Sequence, residues 1–205
     1  MDYTTSANVI AALHVKGALD NTLIARLVTA ASRTVDRLCT GSMNGDNYFT
    51  LADVVNERLS GVVDVQGNIL CWPKKAPVNT VKSISYRESP IGGWNTVDLS
   101  SNPDLAEIVG PYSLKAWTQL NRRPTRLQLQ VSYNGGYADD PAGLPADLVE
   151  LASLMAGRIY REDEGGLQDA IGIATIGSIQ FTKAVPERFE YLLSQFRRSV
   201  PYDSI

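Results

Sequence analysis

The sequence predicts an α+β protein: a small helical bundle of three to four helices, drawn from both ends of the chain, carrying an inserted antiparallel β domain. Three observations point there. Apolar residues recur at three and four positions across residues 20–40 and 145–163, the period of a helix buried along one side. Across residues 126–133 they alternate strictly, the period of a half-buried strand. Between residues 48 and 133, short β-rich runs are separated by turn residues, as in a small antiparallel sheet or barrel. The expected division is a helical core of residues 1–45 and 138–205 that includes a C-terminal docking segment, with the β domain at 46–137.

From the start of the chain, Ser6 can cap a short helix with Val9, Ile10 and Leu13 on one side, and Gly17 ends it. Asp20 caps a longer helix whose stripe is Leu23, Ile24, Leu27, Val28, Ala31, Val35 and Leu38. Arg33 and Arg37 suit the negative end of its dipole, and Gly41 stops it. In the β region, Val62–Val65 and Ile69–Trp72 read as a hairpin around Gln66-Gly67-Asn68. Val78–Arg87 reads as a strand with Val78, Thr80, Lys82, Ile84 and Tyr86 on one face, and Gly92-Gly93 turns the chain into Trp94–Leu99. In the last strand Leu127, Leu129, Val131 and Tyr133 share a face. Pro145 suits the first position of a helix running to about Asp163, apolar on most sides and therefore buried between neighbours. A small-residue stretch with Gly172 and Gly177 leads to Pro186, which starts a last helix with Phe189, Leu192, Leu193 and Phe196 at i, i+3, i+4, i+7.

Composition excludes more than it assigns. The 205 residues carry 22 acidic and 19 basic side chains, a net charge of −3. An acidic whole disfavours general affinity for nucleic acid or anionic membranes. Charge is unevenly spread: net +4 over residues 71–133 and −6 over 134–179, a pattern able to steer one copy onto the next head to tail. Cys39 and Cys71, without a second pair, support neither a disulfide scaffold nor a zinc knuckle and read as half-buried thiols in a reducing compartment. Residues 1–6 lack a basic and an apolar region, so no signal peptide is expected, and the weakly polar run Ala170–Ile179 is too short for a membrane span.

Each candidate for chemistry has a plainer explanation. His14, the one histidine, has no nucleophile placed beside it. Residues 172–178 have the spacing of a phosphate loop, but Ser178 stands where the lysine is needed. Glu162-Asp163-Glu164 lacks the alternation of a calcium loop, and Asp139-Asp140-Pro141 reads as a turn. Arg122-Arg123-Pro124-Thr125-Arg126, with Trp117 and Tyr133 nearby, is the best nucleic-acid candidate, yet too small a patch in an acidic chain. A carbohydrate-binding or carbohydrate-acting β module using Trp94, Trp117 and the scattered carboxylates is a remoter alternative. These patterns predict no enzyme, no catalytic residue, no metal and no cofactor.

The order of the pieces resembles the head–tail connector (adaptor) proteins of tailed bacteriophages, the gp6-like group. The segments that carry the resemblance are Leu23-Ile24, Ala31-Ser32 and Val35-Asp36; then Val131-Ser132-Tyr133-Asn134-Gly135-Gly136-Tyr137; then Leu144-Pro145-Ala146-Asp147-Leu148 to Ala152; and last Ile176–Ile179, Pro186, Leu192-Leu193 and Phe196-Arg197-Arg198. The β insert is longer than in compact members, and Phe196 replaces the usual tyrosine. The resemblance implies a non-enzymatic virion neck protein, assembled in the host cytoplasm as a ring, usually a dodecamer. Its partners would be other copies of itself, the portal protein, and a stopper or tail protein. Genomic DNA would pass through the lumen without sequence-specific binding, and no membrane is involved. A tail-completion or tail-tube protein is the alternative. The expected portal or partner interface is Phe189, Tyr191, Leu192, Phe196, Arg197 and Arg198, since aromatics and arginine dominate interface energetics.

Overall fold

The computed structural model describes residues 1–13, 20–40, 47–118, 120, 126–165 and 187–197. Two compact units divide them, one of residues Met1–Asn47 with Asp140–Arg197, the other of Tyr48–Asp139.

The first unit holds helices α1 (Ser6–Leu13), α2 (Asn21–Thr40), α3 (Ala146–Gly165) and α4 (Glu187–Phe196). Asp20 caps α2 as expected, its carboxylate accepting the Thr22 N–H at 2.8 Å. At α1 the cap lies one residue earlier than expected: the Thr5 hydroxyl, not Ser6, accepts the Asn8 N–H at 3.3 Å. The periodic stripes become the core. Ile24, Leu27, Val28, Ala31 and Val35 of α2 are buried with Leu148, Leu151, Ala152, Met155 and Ala156 of α3, while Leu38 and Ile10 stay at the surface. Helices α2 and α3 pack on each other and both touch α1 and α4. Each buried aliphatic contributes about 1.5–3 kcal/mol. Gly157 of α3 faces Leu13, and a methyl group there would sit 3.8 Å from its Cδ2, an ordinary contact. Gly157→Ala is therefore expected to stabilise by about 0.5–1 kcal/mol through helix propensity alone. Thermal melting checks this; a lower midpoint would show that α1 needs a closer approach than the geometry indicates.

Two polar residues interrupt the α2 stripe for a reason. Tyr3 is fully buried: its N–H donates to the Ser32 hydroxyl at 2.9 Å, and its own hydroxyl donates to the Asp36 carboxylate. Asp36, itself buried, is neutralised by Arg33 at 2.9 Å, and that guanidinium also reaches the Met1 carbonyl. The Thr4 and Ser153 hydroxyls meet at 2.7 Å, tying the same segment to α3. Ser32 and Asp36, two residues that carry the family resemblance, thus hold the first residues of the chain in the helical unit.

The second unit is a seven-stranded antiparallel sheet: β1 (Ala52–Val63), β2 (Ile69–Cys71), β3 (Val78–Arg87), β4 (Asn95–Val97), β5 (Ala106–Ile108), β6 (Leu114–Ala116) and β7 (Arg126–Gly135), in the order β4-β3-β7-β1-β2-β6-β5. β7 is central and its alternation holds: Leu127, Leu129, Val131 and Tyr133 point into one core with Val63, Ile69, Ile84 and Leu114. Two expectations need correction. β1 begins ten residues before Val62, and Val65 lies not in the strand but in the loop, 91% exposed. The loop is built by Asp64, whose carboxylate accepts the N–H groups of Gln66 and Asn68 at 2.8 and 2.9 Å. In β3, Thr80 and Lys82 do not share the face of Val78 and Ile84. Register shifts after Val78 and after Val81 each insert a residue, and each flips the facing. A further bulge in β1, between Val54 and Glu57, is stabilised by Asn56 at φ 55°, whose N–H donates to the Ser132 hydroxyl at 3.0 Å. Bulges strengthen twist, and the sheet curls until the Val78 N–H of β3 donates to Pro111, in the turn between β5 and β6, at 3.2 Å.

Candidate interface

On α4, the residues expected to form an interface divide into two sets. Phe189, Leu192 and Phe196, with Leu193, are buried within their own unit, so they are core in this fold. The opposite stripe, Glu187, Glu190, Tyr191 and Ser194 at i, i+3, i+4, i+7, is exposed, with Tyr191 67% accessible at its centre. Arg188 pairs with Glu150 of α3 and helps fix the helix. Arg197 is exposed at the end of α4, and Arg198 lies outside the described residues.

The β unit carries a second surface. Arg87 lies 4.7 Å from the centre of the Trp94 ring, and Lys115 lies 3.9 Å from that of Trp117. Both indoles remain partly exposed, at 36% and 41%. A cation over an indole holds both groups in place and is worth about 0.5–1 kcal/mol at such exposure. Arg87 is further held by Gln128 at 2.7 Å and by the Pro90 carbonyl at 2.9 Å. Lys115 and Trp117 are two residues apart, a same-face spacing the sequence displays; the Arg87–Trp94 pair forms across a turn and has no such signal.

Several of the described residues considered for chemistry are engaged within the fold. Tyr133, part of the nucleic-acid candidate, is fully buried, so it cannot stack on a base. It donates to Glu57 at 2.8 Å and accepts the Lys75 N–H at 2.9 Å, and burial pushes its phenol well above the usual value. Arg122 and Arg123 lie outside the described residues, as do His14 and the loop at 172–178. Asp140 accepts the Gly143 N–H at 2.9 Å as the cap of a short 3-10 turn, which leaves Asp139-Asp140 a structural turn. Cys39 and Cys71 are not joined in a disulfide and are fully rather than half buried. Burial pushes the Cys39 thiol up to about 12, with Asp36 adding to the rise and Arg197 opposing it, and a thiol held neutral is a poor nucleophile. Among the described residues no cluster of His, Cys, Asp and Glu comes together to hold a metal ion.

A groove of about 410 Å³ lies between β3 and β5, with Lys82 the one charged side chain among the described residues that line it. That ammonium is bound to Asp53 at 2.8 Å, and with Asn134 it holds the Asp53 carboxyl below its usual range. The groove offers an ion pair, aliphatic surface and the Ser100 hydroxyl, which donates to the Asp98 carboxylate at 2.6 Å; hydrogen bonds from Ser100 and Ser101 lower that carboxyl to about 2, which makes it a weak base. The described surface presents an acidic aromatic stripe on α4 and a cation–indole end on the β unit. No described helix is long and apolar enough to cross a membrane.

No family model matches the sequence, and no curated protein matches it. Among solved structures the chain is similar to one in the neck of an empty gene transfer agent (GTA) particle computed with C6 symmetry, at 14% identity and TM-score 0.48, over 97% of this chain and 92% of that one. It is similar to a chain in the virion of a native GTA particle at 16% identity and TM-score 0.47, with the same 97% and 92% coverage. A chain in the neck of a native GTA particle computed with C12 symmetry follows at 18% identity and TM-score 0.41, over 98% and 97%.

Proposed function

We propose that this chain is a structural head-to-tail connector of a tailed bacteriophage. It would form a ring beneath the portal, join the filled capsid to a stopper or tail, and surround the channel through which DNA leaves. The observation that supports this is the order of the resemblance segments along an α+β chain: α2, the exit of β7, the start of α3, and α4. Several of their residues have structural work to do. Ser32 and Asp36 anchor Tyr3, and Gly136 lets the outgoing chain lie against Thr50. An acidic chain suits a DNA channel, because a lumen that bound phosphates tightly would retard the genome.

Within this proposal the portal contact falls on α4, through Tyr191 and Arg197 rather than through the buried phenylalanines. Tyr191→Ala is expected to leave the melting temperature unchanged and to weaken binding to portal-bearing capsids at least about tenfold, as loss of a central aromatic does at interfaces. Co-sedimentation with capsids, followed by negative-stain microscopy, reads this out. Wild-type protein that ignores portal-bearing capsids would overturn the connector function, while unchanged capture of Tyr191→Ala would remove only α4 from the contact.

A further inference from the structure

The strand at one end of the sheet order, β5, is bonded on one side only. Its hydrogen bonds alternate. The Leu105 carbonyl accepts the Trp117 N–H at 2.9 Å, and the Val109 N–H donates to the Ser113 carbonyl at 2.9 Å. Backbone groups two residues apart point the same way along a strand, so Leu105, Glu107 and Val109 bond toward β6. Ala106 and Ile108 therefore point away from it. The Pro103 carbonyl takes the Ala106 N–H. The Ala106 carbonyl and both backbone groups of Ile108 have no partner among the described residues. This open edge borders the groove of about 410 Å³, whose opposite wall is Thr80, Val81 and Lys82 of β3. That wall is an edge too, since β4 covers only Ile84–Tyr86 of β3. Open edges are blunted by bulges or charge. β3 has two bulges, but β5 pairs without one, and its one charge, Glu107, stands opposite Lys115 of β6. Ile108 and Val109 stay 38% and 43% exposed.

We propose that the groove takes an extended segment of another protein, which adds to β5 as a strand. Backbone chemistry selects this occupant. Only an extended chain supplies N–H and C=O groups at the two-residue spacing that Ala106 and Ile108 require. Apart from the hydroxyls of Thr80 and Ser100 and the Lys82 ammonium bound to Asp53, the lining is aliphatic, so the segment carries uncharged, β-branched residues. The space is small, near the lower end of the range of about 300–1,000 Å³ for ligand sites, and admits a single chain. The edge of a second copy's sheet does not fit, because its neighbouring strands would meet β3 and the turn at 99–103. The contact lies within the β unit and stands whether or not the chain is a connector.

Hydrogen exchange and NMR titration of the full chain test it, with the peptide acetyl-Thr-Val-Thr-Val-Thr-amide as the probe. In the free protein the Glu107 amide should be protected, and the Ile108 amide should exchange at least about tenfold faster. Saturating peptide should slow Ile108 exchange at least about tenfold, and the same peptide N-methylated at alternate residues should not. Ile108→Pro removes a donor that β6 does not use, so its melt should match wild type while peptide binding is lost. Glu107→Pro, which removes a donor to β6, should instead lower the melting midpoint. Ile108→Lys keeps the backbone donor but charges the edge, and should weaken peptide binding at least about tenfold. An Ile108 amide as protected as that of Glu107 in the free chain would overturn the proposal. So would a chain unmoved by millimolar peptide, or equal binding of the N-methylated form. Self-association of the wild type that Ile108→Pro abolishes would give the edge to another copy and overturn it as well.

Discussion

Leu151→Asp is expected to yield no soluble folded protein. Leu151 is fully buried on α3, the helix that packs on α2. Truncating a leucine in such a site costs about 2–5 kcal/mol, through lost transfer free energy and the cavity left behind. Aspartate adds a buried carboxylate, which costs several kcal/mol more or takes up a proton at similar expense. Whole-domain stability is about 5–15 kcal/mol, so the two penalties together reach or exceed it. Leu151→Met, which keeps the volume, should cost less than about 1.5 kcal/mol and fold. Expression and thermal melting of the pair distinguish a core position from a merely hydrophobic one. Soluble Leu151→Asp with a wild-type midpoint would mean that the α2–α3 core has been misassigned.

What could be read from the sequence depended on how long each pattern ran. Helices α2 and α3, at 20 residues each, repeat their stripe over five turns, and β7 alternates without a break, so pattern alone located them. β5 and β6 are three residues each, too short for any period to show. β1 was legible only at its end, because its first ten residues include the bulge at Val55-Asn56 and the glycine at 61. β3 is legible at its full length, but two bulges twice exchange its buried and exposed sides, so simple alternation does not give its facing. The interface residues show the same limit. The α4 stripe was readable, but periodicity could not say whether Phe189, Leu192 and Phe196 covered their own subunit or awaited another. Ser32 and Asp36 did leave a sign: two polar residues at i, i+4 among buried neighbours ask for a buried partner, and Tyr3 is that partner.

Gly136→Ala is expected to destabilise the β unit by about 3 kcal/mol or more, the cost of a forbidden backbone conformation combined with a clash. Gly136 has φ +107°, a region L-residues rarely adopt. A methyl group there would meet the Thr50 carbonyl oxygen at 2.3 Å and the Leu51 nitrogen at 2.6 Å, backbone atoms that cannot swing aside. Those atoms are held by the paired entry and exit of the unit. The Leu51 N–H donates to Ala138 at 2.8 Å, the Tyr137 N–H to Phe49 at 2.9 Å, and the Gly136 N–H to Pro77 at 2.8 Å. Relieving the clash therefore means breaking this tie. Gly61→Ala provides the comparison: its methyl group would meet Leu129 Cδ1 at 2.4 Å, but that is a side-chain end able to move at about 1–3 kcal/mol. Urea unfolding of both variants should place Gly136→Ala lower, and hydrogen exchange should show its protection lost first at Leu51 and Tyr137. A Gly136→Ala protein as stable as wild type would mean that the chain can pass this point at negative φ, and the close approach to Thr50 would then not be what holds the two ends of the β unit together.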